Sequence, residues 1–294
     1  MQTMPRLKDF DEFCFRRPIT IQDYRDCEDV QRNAWGMSDG STEVVPLLVL
    51  RPINEKGGFI MVAYDGKNRP IGTTICILGI HEEKRILYSQ LTGVIPEFQS
   101  KGLGRILKLK QRDYALKQGY DLICWTYDSM QSVNNWFNLN TLGALTRAYY
   151  VNYYGELEDR VNEGLATDRF LAEWWIKSPR VKKRTSSRAL FVRSQVDDSL
   201  VANPTKIESG VRVPTGQSSL KRSDSVLVEI PYSYDNLRKF NRQILIKWRE
   251  ETRKLYLRLF KARYIATEVI LEKSDYPRSF VKLERRPLKR ILRH

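Results

Sequence analysis

Eleven residues, Val94-Ile95-Pro96-Glu97-Phe98-Gln99-Ser100-Lys101-Gly102-Leu103-Gly104, constrain this chain more than any other stretch of it. They follow an apolar run, Ile86 to Val94, that reads as a strand. They lead into Arg105-Ile106-Leu107-Lys108-Leu109-Lys110-Gln111-Arg112, which reads as a helix. A strand, a turn of small residues and a helix start together present backbone N–H groups outward. The first four amides of a helix lack internal partners, and the helix dipole favours negative charge there. Gly102 and Gly104 let a phosphate approach the main chain with no Cβ in the way, and Lys101 and Arg105 add countercharge. An ordinary strand-to-helix turn with two glycines is the plainer alternative.

At these residues the chain resembles the GNAT (Gcn5-related N-acetyltransferase) superfamily. Its acetyl-CoA signature, Gln/Arg-x-x-Gly-x-Gly/Ala, is met by Gln99, Gly102 and Gly104, after a Val-x-Pro met by Val94 and Pro96. More narrowly, the chain is similar to a family of predicted GNAT-type acetyltransferases whose substrate is unassigned. That likeness takes in Leu107 to Arg112, the Trp125-Thr126-Tyr127-Asp128 strand end, Phe137-Asn138, Leu142-Gly143-Ala144 and Asn152-Tyr153-Tyr154-Gly155. Asp168-Arg169-Phe170 and Glu173-Trp174 fit as well, so about half of the chain is covered.

The 294 residues suffice for one large domain or two modest ones, and the 41% hydrophobic share is that of a folded protein. No apolar run approaches the ~18 residues needed to cross a bilayer. The first residues, Met1 to Lys8, lack the apolar core of a signal peptide, so a cytoplasmic protein is expected. Cys14, Cys27, Cys76 and Cys124 form no C-x-x-C pair, and Cys76 and Cys124 sit in strand-like runs, which suggests packed thiols. Two histidines, His81 and His294, give little material for a histidine-rich metal site, and no metal is expected. The net charge is +15, and beyond Leu237 basic residues outnumber acidic ones by more than two to one. Such an excess suits an anionic partner, whether nucleic acid or CoA itself, or simply a solubilising surface.

The periodicity places a first strand at Phe13–Ile19, then a helix capped by Thr20 with Tyr24, Cys27, Val30 and Ala34 inward. Val45–Leu50 opens a short apolar element. Phe59–Tyr64 and Ile71–Leu78 flank a turn at Asp65–Asn68, a hairpin signal. After the signature comes a helix to about Gln118 that Gly119 ends, with Leu103, Ile106, Leu107, Leu109, Tyr114 and Ala115 as its apolar stripe and the lysines and arginines opposite. Leu122–Tyr127 reads as a buried strand, Val133–Leu142 as a helix, and Leu145–Tyr153 as a strand. A hairpin-like excursion, Gly155–Ala166, follows. The fold class expected is α/β (α+β): a mixed, mostly antiparallel sheet flanked by helices, the GNAT fold in the resemblance.

Three regions follow. Residues 1–178 form a GNAT acyl-CoA-binding domain, and 179–224 a basic polar linker with one strand, Ala189–Val192. Residues 225–294 form a carboxyl-terminal α/β half-domain. Its order, strand (Val226–Ile230), long amphipathic helix (about 234–261) and two strands (Ala266–Leu271, Phe280–Leu283), echoes a degenerate half of a GNAT unit. Leu237, Phe240, Ile244, Leu245, Trp248, Leu255 and Leu259 supply its core stripe.

The resemblance implies that the strand before the signature splays from the strand that follows, with pantetheine in the gap. Thr92 and Val94 would offer backbone groups to it, Gly93 would suit the opening bulge, and Gln99, Ser100, Lys101, Gly102, Leu103, Gly104 and Arg105 would grip the pyrophosphate. Asn134 and Asn138 would hydrogen-bond the pantetheine arm, although an N-cap and a surface amide are equally open to them. The base that many GNAT enzymes carry as a Glu before the signature has no counterpart in Leu87-Tyr88-Ser89-Gln90-Leu91-Thr92-Gly93. Related chains carry a histidine where this one has Gln90, which cannot accept a proton near neutral pH. The usual Tyr acid is replaced by Leu139. Gln90, Tyr127 and Asn134 remain as candidates to act at the thioester, with Tyr88 and Tyr153 as further phenols.

The expected activity is thus acyl-CoA-dependent N-acyl transfer, with acetyl-CoA as cosubstrate and an amine acceptor such as a protein amino terminus, a lysine, a polyamine or a small metabolite. No membrane partner is implied. A CoA-binding module without turnover is the first alternative, and a basic nucleic-acid-associated protein the second.

Overall fold

The computed structural model describes residues 13–155, 157, 165–186, 196–217 and 223–293. The chain divides into two compact units, Met1–Trp125 with Leu157–Gly164, and Thr126–Glu156 with Leu165–His294.

The first unit opens with β1 (Cys14–Arg16) and α1 (Ile21–Trp35). Thr20 and Asp23 form a capping box: the Thr20 hydroxyl accepts from the Asp23 amide (3.2 Å), and the Asp23 carboxylate accepts from the Thr20 amide (2.9 Å). Gly36, at φ 66°, ends the helix. The apolar run at Val45 becomes α2 (Leu47–Glu55). The hairpin follows as β2 (Phe59–Tyr64) and β3 (Pro70–His81), turned by Asp65, whose carboxylate accepts from the Lys67 and Arg69 amides at 2.9 Å. Next come β4 (Lys84–Val94), a 3-10 turn (Pro96–Phe98), α3 (Leu103–Lys117) and β5 (Leu122–Asp128).

The order β1-β2-β3-β4-β5 is antiparallel except for the last pair, where β4 and β5 run parallel. Alternation along β2 feeds two cores. Ile60, Val62 and Tyr64 pack with Tyr24, Cys27 and Leu50, while Met61 and Ala63 join Ile71, Leu103 and Leu107. Helices therefore cover both faces. A mixed, mostly antiparallel sheet between helices is the arrangement that the GNAT resemblance implies.

In the second unit the Thr126–Asp128 end of β5 leads to α4 (Ser132–Asn135), which continues directly into a π-helical turn, Trp136–Thr141. The helix expected at Val133–Leu142 thus changes pitch. Asn140 is turned inward to bond both main-chain groups of Val269, donating at 3.0 Å and accepting at 2.7 Å. Then follow β6 (Leu145–Tyr150), shorter than expected because Val151–Tyr154 turns, β7 (Arg169–Trp175) and α5 (Pro179–Thr185). The stretch read as a polar linker carries that helix, a 3-10 turn (Asp198–Leu200) and a hairpin, β8 (Thr205–Glu208) with β9 (Val211–Pro214). The expected strand Ala189–Val192, and the Gly155–Ala166 excursion apart from Gly155, Leu157, Leu165 and Ala166, lie outside the described residues.

After β10 (Ser225–Ile230), the long helix expected over 234–261 is two helices, α6 (Tyr234–Phe240) and α7 (Arg242–Lys261). Asn241 breaks it: its extended backbone (φ −155°) stops α6, and its side chain accepts from the Ile244 amide to start α7. The chain ends in β11 (Ile265–Glu272), β12 (Arg278–Glu284) and α8 (Leu288–Ile291). The sheet order is β7-β6-β11-β12-β10, all antiparallel. No helix among the described residues is long and apolar enough to cross a membrane.

One ion pair carries much of this unit. Arg249 of α7 donates two parallel bonds, each 2.8 Å, to Asp128, and both side chains are buried. Burial alone would raise the Asp128 carboxyl, but the Arg249 charge outweighs it and holds the group below the usual carboxylate range. Arg249→Met strands a buried carboxylate and is expected to cost about 3–5 kcal/mol, whereas Arg249→Met with Asp128→Asn costs less; urea denaturation of the three variants against the parent checks the order.

Candidate functional site

The signature loop joins β4 to α3 within the first unit. The Ile95 amide still donates to Ile71 (3.0 Å), so the chain leaves the sheet only after that residue. The 3-10 turn closes through Phe98 N to Ile95 O (3.0 Å) and Gln99 N to Pro96 O (3.2 Å). Ser100 then adopts φ 60° and Gly102 φ 90°, two left-handed residues that swing the chain into the helix. Only Gly102 is a residue that takes this conformation without strain. Gly102 is the N-cap of α3, and no side chain caps the helix. The Arg105 and Ile106 amides turn back to the Gly102 carbonyl at 3.0 and 3.3 Å. The Leu103 and Gly104 amides precede those bonds at the positive end of the dipole. A Cβ added at Gly104 would meet nothing within 4 Å, so the space beside these amides is open.

The side chains expected to grip a diphosphate take distinct places. Lys101 is exposed, with Nζ 5.0 Å from the Phe98 ring centroid. Arg105 is half-buried, and burial lowers its guanidinium pKa. Gln99 instead ties the loop down, its amide nitrogen donating to the Val94 carbonyl at 2.9 Å. Ser100 contributes backbone shape and is exposed. Leu103 is buried and anchors the helix start in the core.

Strand β4 pairs with β5 only at Leu87↔Ile123 and Tyr88↔Cys124. From Ser89 to Val94 its far side forms no ladder with β5, while its near side stays zipped to β3 up to Gly72↔Val94. The irregularity that accompanies this opening is three residues earlier than expected. Register passes from Ile75↔Leu91 to Cys76↔Ser89, so Gln90 is the extra residue of the bulge, and it is exposed. Gly93, expected at the bulge, pairs normally with Thr73. Its glycine has another cause: a Cβ there would lie 2.6 Å from the Trp35 ring, so α1 can lie against β4 only because none exists.

Beneath β4 the structure corrects the reading of α3. Lys108 and Gln111 are buried against the sheet, not on a solvent face with the other cations. Lys108 Nζ donates to the Ser89 hydroxyl at 2.8 Å and lies 3.8 Å from the Trp125 ring centroid. The Gln111 amide donates to the hydroxyls of Thr74, Ser89 (2.9 Å) and Thr92 (3.2 Å), and the Thr74 and Thr92 hydroxyls are 2.8 Å apart. Thr92 is thus a stitch between strand and helix. No carboxylate joins the cluster, and burial pushes the Lys108 ammonium down to about 7, with the Cys76 thiol opposing only weakly. Sequence reasoning missed Lys108 because a lysine on an amphipathic helix reads as solvated. The signal was its place one turn after Gly104 and three residues ahead of Gln111, on the Gly104–Gln111–Ala115 side of the helix.

Tyr127, Asn134 and Asn138 belong to the second unit. Tyr127 is buried, 3.3 Å from the Thr146 hydroxyl, and burial raises its phenol well above the ordinary value. Asn134 donates to the Gln131 side chain at 2.8 Å, and Gln131, not Asn134, is the N-cap of α4. Asn138 is buried in the π-helical turn, its carbonyl accepting from Ala144 at 2.9 Å. Leu139, where a tyrosine acid is usual, is fully buried. Among the described residues no group of His, Cys, Asp and Glu has the makings of a metal site.

The chain matches no protein-family model, and no curated protein sequence matches it significantly. Among solved structures it is similar to Naa50 of Arabidopsis thaliana in complex with a bisubstrate analogue, at 15% identity and a TM-score of 0.43 over 55% of this chain and 97% of that one. The ribosomal-protein-S18-alanine N-acetyltransferase of Escherichia coli gives 12% and 0.43, over 61% and 99%. The ribosomal-protein-S5-alanine acetyltransferase of Vibrio fischeri gives 17% and 0.44, over 57% and 95%. Likeness this distant leaves any assignment to the chain's own residues.

The Lys108 cluster makes a prediction about pH. The folded state gives up this proton near 7 and the unfolded state near the ordinary 10.5. The unfolded chain therefore binds more protons between those values, and stability rises with pH across the window. Above about 8.5 the buried thiols Cys27 and Cys76, both pushed up to about 12, pull the other way. Between pH 7 and 8.5 the urea midpoint of the parent is expected to rise, on the order of 1 kcal/mol per pH unit, and that of Lys108→Met to stay flat.

Proposed function

We propose that this protein is an acyl-CoA-dependent N-acyltransferase of the GNAT type, which passes an acetyl group from acetyl-CoA directly to an amine. One observation carries the reading: a strand that parts from its parallel neighbour after Tyr88 delivers the chain, through Gly102, into a helix whose amide end no side chain of the described residues caps. That end offers a diphosphate two free amides, and Lys101 and Arg105 supply the charge. The unpaired side of β4, from Ser89 to Val94, offers backbone N–H and C=O groups at strand spacing to the amides of a pantetheine arm. A bulged Gln90 puts one exposed amide side chain on that same edge, where it can orient an acceptor.

The chemistry asks for little more than placement. Attack of a neutral amine on a thioester forms a C–N bond and breaks the C–S bond; the thiolate leaves and water carries the nitrogen's proton to it, so holding the two partners together supplies most of the rate. A cytoplasmic location belongs to the same reading, since the four cysteines are free thiols. Binding without turnover is the second reading. It is favoured by the lack of a carboxylate anywhere on β4 and by the high, Thr146-facing phenol of Tyr127, a poor proton donor.

Gly104→Glu separates binding from folding. Its side chain enters open space, and a carboxylate at a helix start is favourable for the fold. Saturating CoA is expected to raise the melting temperature of the parent by several degrees and to leave Gly104→Glu unmoved, with the ligand-free melts equal within a degree or two. No CoA shift in the parent contradicts the assignment. Thiol release from acetyl-CoA across a panel of amines then decides between transfer and binding alone.

A further inference from the structure

The second unit carries a face of cations that the acyl-transfer reading does not use. Residues 177–186 and 285–293 each contain five lysines and arginines and no aspartate or glutamate. The fold sets the two segments side by side. The Arg180 amide at the start of α5 donates to the Leu292 carbonyl just past α8 (3.1 Å). The apolar side chains of both segments turn inward: Val181 is fully buried, and Ile291 packs on Leu145 and Ile265 with Leu288 and Leu292. Arg180 is also spent inside, donating to the carbonyls of Gly143, Leu139 and Thr267. What remains outward is charge. Lys182, Lys183, Lys289, Arg290 and Arg293 are all exposed, and none forms an ion pair among the described residues.

That separates this face from the other basic stretches. On α7, Arg249 pairs with Asp128, Arg253 with Asp168 and Lys254 with Glu251, and the helix carries two glutamates of its own, so part of its charge is answered within the molecule. Here, among the described residues, ion pairs lie at the edges, Glu268 with Arg184 (3.8 Å) and Glu284 with Arg286 (3.8 Å). Lys182, Lys183, Lys289 and Arg290 gain a little from the carboxyl ends of α5 and α8, but cations set this close without acids also repel one another. Their chemistry fits a polyanion.

We propose that the face formed by α5 and α8 binds the phosphate backbone of a nucleic acid. Two features favour phosphates over other anions. No large apolar side chain of either segment is exposed, so the face lacks the anchor on which a protein partner's affinity rests and the wedge that holds a helix in a lipid surface. The cations are also spread over two packed helices rather than along a flexible tail, which suits regularly spaced charges. The described residues of the two segments include no aromatic or amide side chain, so the contact proposed is to phosphates and is sequence-independent.

Fluorescence anisotropy on the full chain tests this, with labelled single-stranded RNA, duplex RNA and duplex DNA of about 20 nucleotides at salt from about 50 to 200 mM. The test variant is Lys182→Glu, Lys183→Glu, Lys289→Glu, Arg290→Glu. A control of equal charge change, Lys56→Glu, Lys67→Glu, Lys84→Glu, Lys117→Glu, uses exposed lysines of the first unit. Binding by the parent should fall steeply with salt. The test variant should lose at least tenfold in affinity, and its salt slope should drop by about 3 to 4, while the control changes little. The inference is overturned by no binding to any of the three nucleic acids at the lowest salt. It is equally overturned by equal losses in both variants, or by preference for vesicles of anionic lipid or for polyglutamate. Circular dichroism melts of both variants exclude unfolding as the cause.

Discussion

The polar seam between α3 and the β3–β4 pair is what the rest of the first unit depends on. Lys108 and Gln111 reach the hydroxyls of Ser89, Thr74 and Thr92 from one helix face, and Leu103 and Leu107 pack beside them. Apolar contacts would allow the helix to slide along the sheet; directional bonds to three hydroxyls at fixed strand positions do not. The seam therefore sets where the amide end of α3 points and how far the loop at Gly102 must reach. Its cost is a buried lysine that keeps no full charge near neutral pH, held without a carboxylate.

The loop itself adds a second constraint. Gln99 bonds the Val94 carbonyl, Ser100 and Gly102 both sit at positive φ, and Gly104 leaves its side open. Each choice takes a group away from the helix start rather than adding one. A fold that needed only to turn a strand into a helix would place a serine, threonine or aspartate at the cap, as Thr20 and Ser178 do elsewhere in this chain. Side-chain caps are also absent from α2, α4, α6 and α8, but only α3 starts from a left-handed glycine, and that glycine belongs to the signature.

Much of this was legible beforehand because it depends on local chemistry. The glycine string, the Thr20 cap, the Asp65 turn and the stop at Gly119 are decided by residues adjacent in sequence. What escaped was set by distant partners. Lys108 is drawn inward by Ser89 and Trp125, Gly93 answers to Trp35, and the bulge falls at Gln90 because β3 and β4 change register there. Asn241 was readable as a polar residue but not as a break, since the apolar spacing continues through it. Site residues divided the same way. The backbone-binding loop is written in the string, whereas Thr92, Tyr127 and Asn134 each have partners within the protein that the string does not name.

The central claim is that bare main-chain amides at the start of α3 take a diphosphate. Amide resonances report on this directly. In a 15N-labelled sample titrated with CoA, the Leu103 and Gly104 amides should move furthest downfield, as amides do when they donate to phosphate oxygen, with Arg105 following. Large shifts elsewhere with Leu103 and Gly104 unmoved would contradict it.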